Sequence, residues 1–313
     1  MFISDEKTLD YLTAAMILCL PWLGTAWTTW GWIWEIIILL AVFRVGLRKG
    51  LKWTSILLIT GYGLAVLSFR LPGLEQMGFV PWAGLVSIIG WEKDWPQRVT
   101  VFWSIVVAGL LGAIPTLGFQ GFGIQTQDFI NSMVAQYKSM GLLTAMQEQG
   151  IAELQLRTVL GQVINFYGMI IPSLAAISSF IEFGVIYYFF VRWIILSGKG
   201  RVPFSNWRLP WYAVWGAILA LASYLLGDEF SWVLLRSFGL NLMVVYAAGA
   251  LVIGTSIYLF FLQSPRIPRL LKWVLVLGNI FYFLFSLISV IIFGLFDLVF
   301  NFRRLPEIGG RGE

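Results

Sequence analysis

Apolar runs recur along the chain at residues 10–23, 31–43, 53–69, 76–90, 99–118, 161–193, 211–227, 236–262 and 273–296. An α-helix crosses a bilayer with about 20 apolar residues. The pattern therefore predicts an all-α polytopic integral membrane bundle of eight or nine transmembrane helices, in one domain over residues 1–313. The first two runs are short for full spans, and the Trp- and Gly-containing stretch 24–31 between them predicts a tight hairpin or one broken element. The sixth run is long, about 33 residues, and Pro172 interrupts it. At 1.5 Å per residue it exceeds a hydrocarbon core of about 30 Å, so it must kink, tilt or protrude. Pro172 also frees a carbonyl about one turn earlier, near Gly168, which Ser173 or water is placed to satisfy.

Segment 119–160 has a different period. Phe129, Ile130, Met133, Val134, Tyr137 and Met140 recur at helical spacing with Gln127, Asp128, Asn131, Gln136 and Lys138 between them. This describes an amphipathic helical segment over about 124–160, interrupted at Gly141 and Gly150, that lies in the interfacial plane. A lid or partner-binding arm over a cavity needs the same stripe. Within the spans, the small-residue pairs Ala108/Gly112, Gly109/Ala113, Gly216/Ala220 and Ala250/Gly254 predict close helix packing.

Charge sets the orientation. Three loops are basic: Arg44/Arg48/Lys49/Lys52, Arg192/Lys199/Arg201/Arg208 and Arg266/Arg269/Lys272. Four spans separate the first from the second and two separate the second from the third, so all three fall on one side, the cytoplasm by the positive-inside rule. The nine-span reading puts the amino terminus inside and the carboxyl terminus outside, with Arg303 and Arg304 on the less favoured side. Most of the sixteen tryptophans lie where runs end, among them Trp53, Trp91, Trp95, Trp193, Trp207, Trp211, Trp232 and Trp273. They read as an aromatic belt at headgroup level. Gly24-Thr25-Ala26 has the form of a signal-peptide cleavage site, but Asp5-Glu6-Lys7 lacks a positive n-region, so residue 1 is expected in the mature protein.

Composition then narrows the chemistry. Hydrophobic residues make up 59% of the chain and charged residues 12%, against about 25% charged in soluble domains. Mean hydropathy is +0.82, which excludes a soluble enzyme with one core. Histidine is absent, which removes zinc proteases of the H-E-x-x-H type, serine–histidine proteases and histidine-ligated haem. The single cysteine, Cys19, forms no intrachain disulfide. No phosphate loop is present, since Gly198-Lys199-Gly200 lacks both the upstream glycine and the Ser/Thr. No metal, cofactor or nucleic-acid partner is expected. The net charge of +5 sits in loops rather than on a binding stripe.

Polar groups at membrane depth are costly and are therefore default site candidates. Glu35 lies in the first half of the second run and Glu182 well inside the sixth, while Asn165, Asn241 and Asn279 lie in the sixth, eighth and ninth. A broken helix with a carboxylate nearby has the form of a ligand or ion site. Asn residues and a bundle-facing Glu serve equally as interhelical hydrogen-bonding groups.

Two stretches carry a family resemblance. One is Phe43-Arg44-Val45-Gly46-Leu47-Arg48-Lys49-Gly50-Leu51-Lys52. The other begins with Pro203-Phe204-Ser205-Asn206-Trp207-Arg208-Leu209-Pro210, continues through Asn241, and ends with Gly294-Leu295-Phe296-Asp297-Leu298-Val299-Phe300-Asn301-Phe302-Arg303-Arg304-Leu305. In order and spacing they resemble the YybS-like family of bacterial polytopic membrane proteins, itself distantly similar in fold to the S components of energy-coupling-factor transporters. The resemblance implies a bacterial plasma-membrane protein with a cavity opening outward, working with a coupling subunit and ATPases. Physics gives the same motifs structural roles as well. Trp207 and Arg208 anchor the interface, Pro210 sits at the first turn of the next helix, and Asp297 caps a short helix or pairs with Arg303 or Arg304. The expectation is a non-catalytic small-molecule-binding or transport-associated subunit, with a pocket lined by the second, sixth, eighth and ninth segments. The alternative is a structural or assembly subunit of a membrane complex.

Overall fold

The computed structural model describes residues 2–27, 31–74, 78–117, 123–148, 150, 152–191, 203–265, 267–281, 283–300 and 303. They form helices and short turns, with no strand among the described residues. In chain order the helices are α1 (Phe2–Ala26), α2 (Gly31–Leu74), α3 (Val80–Glu92), α4 (Gln97–Leu117), α5 (Gly123–Ser139), α6 (Leu142–Glu148), α7 (Glu153–Phe190), α8 (Ala213–Glu229), α9 (Val233–Gln263), α10 (Arg269–Phe281) and α11 (Phe283–Phe300). Thr8–Ala26, Gln97–Thr116, Glu153–Phe190 and Val233–Gln263 are long and apolar enough to cross a membrane. Arg192, Trp193, Lys199, Arg201, Arg266 and Arg304, assigned above to basic loops, belt and tail, lie outside the described residues.

The second and third apolar runs share one helical element, α2, which folds back on itself at Gly50. Gly50 has φ +78°, a left-handed conformation that glycine adopts without steric cost. Ile38, Val42 and Val45 of the first arm pack in one cluster with Leu58, Tyr62 and Ala65 of the second, joined by Ile17 and Leu20 of α1 and Ile88 of α3. At the bend, the Leu51 N–H donates to Glu92 Oε1 at 2.7 Å. That carboxylate satisfies one of the free donors at the start of the second arm. Asp10 of α1 pairs with Arg48 at 3.3 Å and Arg44 at 3.9 Å. The start of α1, the basic bend and the end of α3 therefore occupy one end of the bundle.

Helix α7 descends to that same end. Phe183, Tyr187 and Phe190 pack around Phe43, and Trp91 stacks on Tyr187 and Phe190. Trp91, expected in the aromatic belt, is thus turned into the core. Small residues set the close approaches: a side chain at Gly109 or Gly112 of α4 would strike Phe180 or Ser179 of α7. Between α9 and α11 the backbones themselves meet. A Cβ at Gly254 would lie 2.0 Å from the Val290 carbonyl oxygen, and one at Gly294 would lie 2.0 Å from that of Ala250.

The amphipathic segment differs from its expected in-plane placement. Ile130 and Val134 of α5 are buried, Ile130 lies against Gly161 of α7, and Arg157 of α7 donates to Asn131 at 2.7 Å. The stripe covers the start of α7 because α7 begins at Glu153, earlier than the apolar run implied, and offers it an apolar face.

The carboxyl-terminal placement is also corrected. Arg303 is buried, and its guanidinium donates to the Ser205 carbonyl at 2.6 Å, Ser256 Oγ at 2.7 Å, the Trp207 carbonyl at 2.7 Å and Asp297 Oδ2 at 2.8 Å. Ser256 in turn donates to the Phe204 carbonyl at 2.7 Å. Arg303 therefore lies at the end of the bundle that holds segment 203–207, not at the opposite end. A buried guanidinium needs an anion and several acceptors, and this junction supplies them. Of the two pairings left open for Asp297, the one with Arg303 is formed. Arg208 is half-buried in the same segment, and Pro210 precedes α8 by one turn, its carbonyl accepting from Ala213 at 3.0 Å.

Candidate functional site

The two membrane-depth carboxylates come together. Glu35 lies fifteen residues before the bend at Gly50 and Tyr62 twelve after it, which places both roughly 20 Å from that end of the bundle at 1.5 Å per residue. On α7, Glu182 precedes Phe183, which packs on Phe43 of the α2 first arm. Glu35 and Glu182 lie within electrostatic reach of each other and of the Tyr62 hydroxyl. The side chains project from α2 and α7 because both helices turn their apolar stripes toward the same core, and these polar groups continue those stripes.

Glu35 is held by α3. Its carboxylate lies within reach of the Val80 backbone N–H, at a helix start whose partial positive charge favours an anion. Tyr62 donates to the Gly78 carbonyl at 2.6 Å, which fixes the chain leading into α3. A Cβ at Gly78 would lie 1.6 Å from the Glu35 carboxyl carbon, so any larger residue there displaces that carboxylate. Beside Glu35 a cleft of about 20 Å³, with room for a water or so, is bounded by α1 and α2 through Leu20, Gly24, Thr25, Trp34 and Ile38. Trp34 Nε1 and Glu182 Oε1 are buried there and nearby without a hydrogen-bond partner. Among the described residues neither Glu35 nor Glu182 has an ion-pair partner. No group of three metal-ligating side chains exists among them either.

Asn241 sits elsewhere, and its hydrogen-bonding capacity is used. Its Oδ1 accepts from the Ser173 N–H at 2.8 Å, and its Nδ2 donates to the Met169 carbonyl at 2.7 Å and the Ser237 carbonyl at 2.8 Å. The amide thus inserts between a donor and an acceptor that an unbroken helix pairs directly. Pro172 opens the ladder and Asn241 of α9 fills the opening, at Met169 rather than at Gly168. Asn165 is exposed, and Asn279 lies on α10 with its side chain outside the described residues. The expected four-segment pocket therefore divides into a carboxylate pair between α2 and α7 and a separate packing joint between α7 and α9. Replacing Asn241 with leucine strands both Ser173 N–H and Met169 O. We expect a loss of about 1–3 kcal/mol, read as reduced resistance to reversible unfolding in mixed micelles, with glutamine restoring little of it.

Sequence reasoning missed Trp34, Tyr62, Gly78 and Val80 as companions of Glu35. A signal existed at Val80-Pro81, since proline in a first turn marks a helix start, and a helix start is where a carboxylate finds a free N–H.

The profile of a family described as Predicted membrane protein (DUF2232) matches residues 12–298. The chain belongs to that family. No curated protein and no solved structure matches it. The DUF2232 match takes in both arms of α2, the carboxylate pair, the α7–α9 joint and Asp297, so the site lies within what defines the family's length.

Proposed function

We propose that this DUF2232 protein is a membrane-embedded binding subunit, without catalysis of its own, that holds a small cationic molecule between Glu35 and Glu182. The observation that carries the reading is a pair of carboxylates from α2 and α7 within electrostatic reach of each other, with one buried oxygen of Glu182 left without a partner. A buried charge must be paired or fully hydrogen-bonded, and a compact ammonium group satisfies both carboxylates at once. Aromatic faces at Trp34 and Tyr62 suit a cation too. The absence of histidine favours a binding role over an enzymatic one.

The positive-inside rule favours a cytoplasmic Gly50 end and amino terminus, and the YybS-like resemblance favours a bacterial plasma membrane. On this reading the crossings are eight, made by α1, the two arms of α2, α3, α4, α7, α8 and α9. Arg303 then returns to the cytoplasmic side. The YybS-like resemblance and the distant similarity to S components favour a role beside a coupling subunit and ATPases, as fold-level analogy. The assembly-subunit alternative is less favoured, because the α5 stripe that a partner would grip is already seated on α7.

The test is a panel of ammonium and small primary-ammonium salts screened for thermal stabilisation of the purified protein. At least one compound should stabilise the wild type and lose about tenfold or more in apparent affinity with Glu182→Gln, the variant remaining monodisperse. A panel without effect, or equal stabilisation of the variant, removes the carboxylate pair from any such role.

A further inference from the structure

We infer that the end of the bundle formed by the α2 bend and the α3–α4 turn is a binding site for the phosphate headgroup of an anionic glycerophospholipid. The bond from Leu51 N–H to Glu92 brings the two turns together, and with them Arg44, Arg48, Lys49, Lys52, Lys93 and Arg98. The nearby carboxylates do not neutralise this set. Asp10 is engaged by Arg44 and Arg48, Glu92 accepts from the backbone of the bend and keeps its charge, and Asp94 adds a third carboxylate, so six cations stand against three anions and the set stays net positive. Lys49, Lys52 and Lys93 line the two turns, Lys49 and Lys52 exposed with Lys93 beside them, and α4 begins nearby with no acidic residue in its first turn. Lysine ammonium groups and an open helix N-terminus together suit a phosphate.

A lipid is favoured over a free anion by the apolar face that continues from Lys52 along the helix through Ile56, Ile59, Gly63 and Leu67. Ile59 is 59% and Leu67 82% exposed, and no atom stands within 4 Å of a Cβ position at Gly63. That is an apolar lane for an acyl chain directly beneath a cationic headgroup position. Trp53, 58% exposed, flanks the boundary where an indole sits at headgroup level. This lipid site lies at one end of the bundle and is independent of the Glu35–Glu182 pair at its middle.

The experiment is native mass spectrometry of the full chain in mild detergent, titrated with phosphatidylglycerol, phosphatidylcholine or inorganic phosphate. Wild-type protein should retain phosphatidylglycerol at least about tenfold better than phosphatidylcholine, should lose it as salt is raised, and should not release it to inorganic phosphate. Lys49→Gln/Lys52→Gln/Lys93→Gln should lower that preference by roughly fivefold per lysine removed. The same loss of charge at Arg157 and Arg236 should leave it unchanged. Equal retention of the two lipids, retention insensitive to salt, displacement by inorganic phosphate, or a triple variant that behaves as wild type would each overturn the inference. If the triple variant does not purify, the salt and lipid-choice arms on the wild type decide it alone.

Discussion

Arg303→Met should be among the most damaging single substitutions in the chain, lowering stability by about 3–5 kcal/mol, the usual loss when one member of a buried ion pair is removed. The guanidinium reaches four acceptors from three parts of the chain: segment 203–207, α9 and α11. Methionine fills similar volume but leaves Asp297 buried without its cation and the Ser205 and Trp207 carbonyls without a donor. Arg303→Lys should rescue little, because one ammonium cannot span a fork-shaped set of acceptors. Adding Asp297→Leu to Arg303→Met should recover part of the loss by removing the stranded charge. Reversible unfolding in mixed micelles measures all three. A loss below about 1 kcal/mol for Arg303→Met would mean that the junction is not holding the carboxyl-terminal helices.

A loss of similar size is expected at the α9–α11 crossing. Gly294→Leu places a side chain where the Ala250 carbonyl oxygen stands 2.0 Å from the Cβ position. That oxygen is backbone and cannot rotate away, so the helices must part. Overpacking costs about 1–3 kcal/mol even where side chains absorb the strain, and here the lost packing along α11 adds to it. Gly249 supplies the control, since nothing stands within 4 Å of its Cβ position. Gly249→Ala should be neutral, or stabilising by up to about 1 kcal/mol through helix propensity. Crosslinking yield between cysteines introduced on α9 and α11, in a Cys19→Ser background, reports the separation directly. Equal yields for the Gly294 and Gly249 variants would contradict the packing.

Apolar runs mark α1, α4 and α7 to α9 in the sequence because a span needs length and hydropathy, and both are local properties. The bend in α2 is legible for the same reason, as a basic cluster containing Gly50 between two apolar stretches. The pairing of Asp297 with Arg303 rather than Arg304 is not, because the choice depends on how the turn after α11 meets segment 203–207. Asn241 is marked as polar at depth, and Pro172 as a break, but their meeting is a fact of helix order in space. Glu35 and Glu182 likewise lie 147 residues apart in the chain, and only the packing of α7 on the first arm of α2 joins them. The amphipathic period of α5 is visible, whereas its cover is not, since lipid and another helix look alike to an apolar stripe.

Whether the Glu35–Glu182 pair holds a cationic small molecule is tested most directly by purification from the native membrane in mild detergent. Mass spectrometry then identifies the small molecules released by the wild type and by Glu35→Gln/Glu182→Gln. The wild type should release a positively charged metabolite in near-stoichiometric amount, and a double variant that stays folded should release none. A wild-type protein that releases no such molecule, or a double variant that releases the same amount, would contradict the binding role.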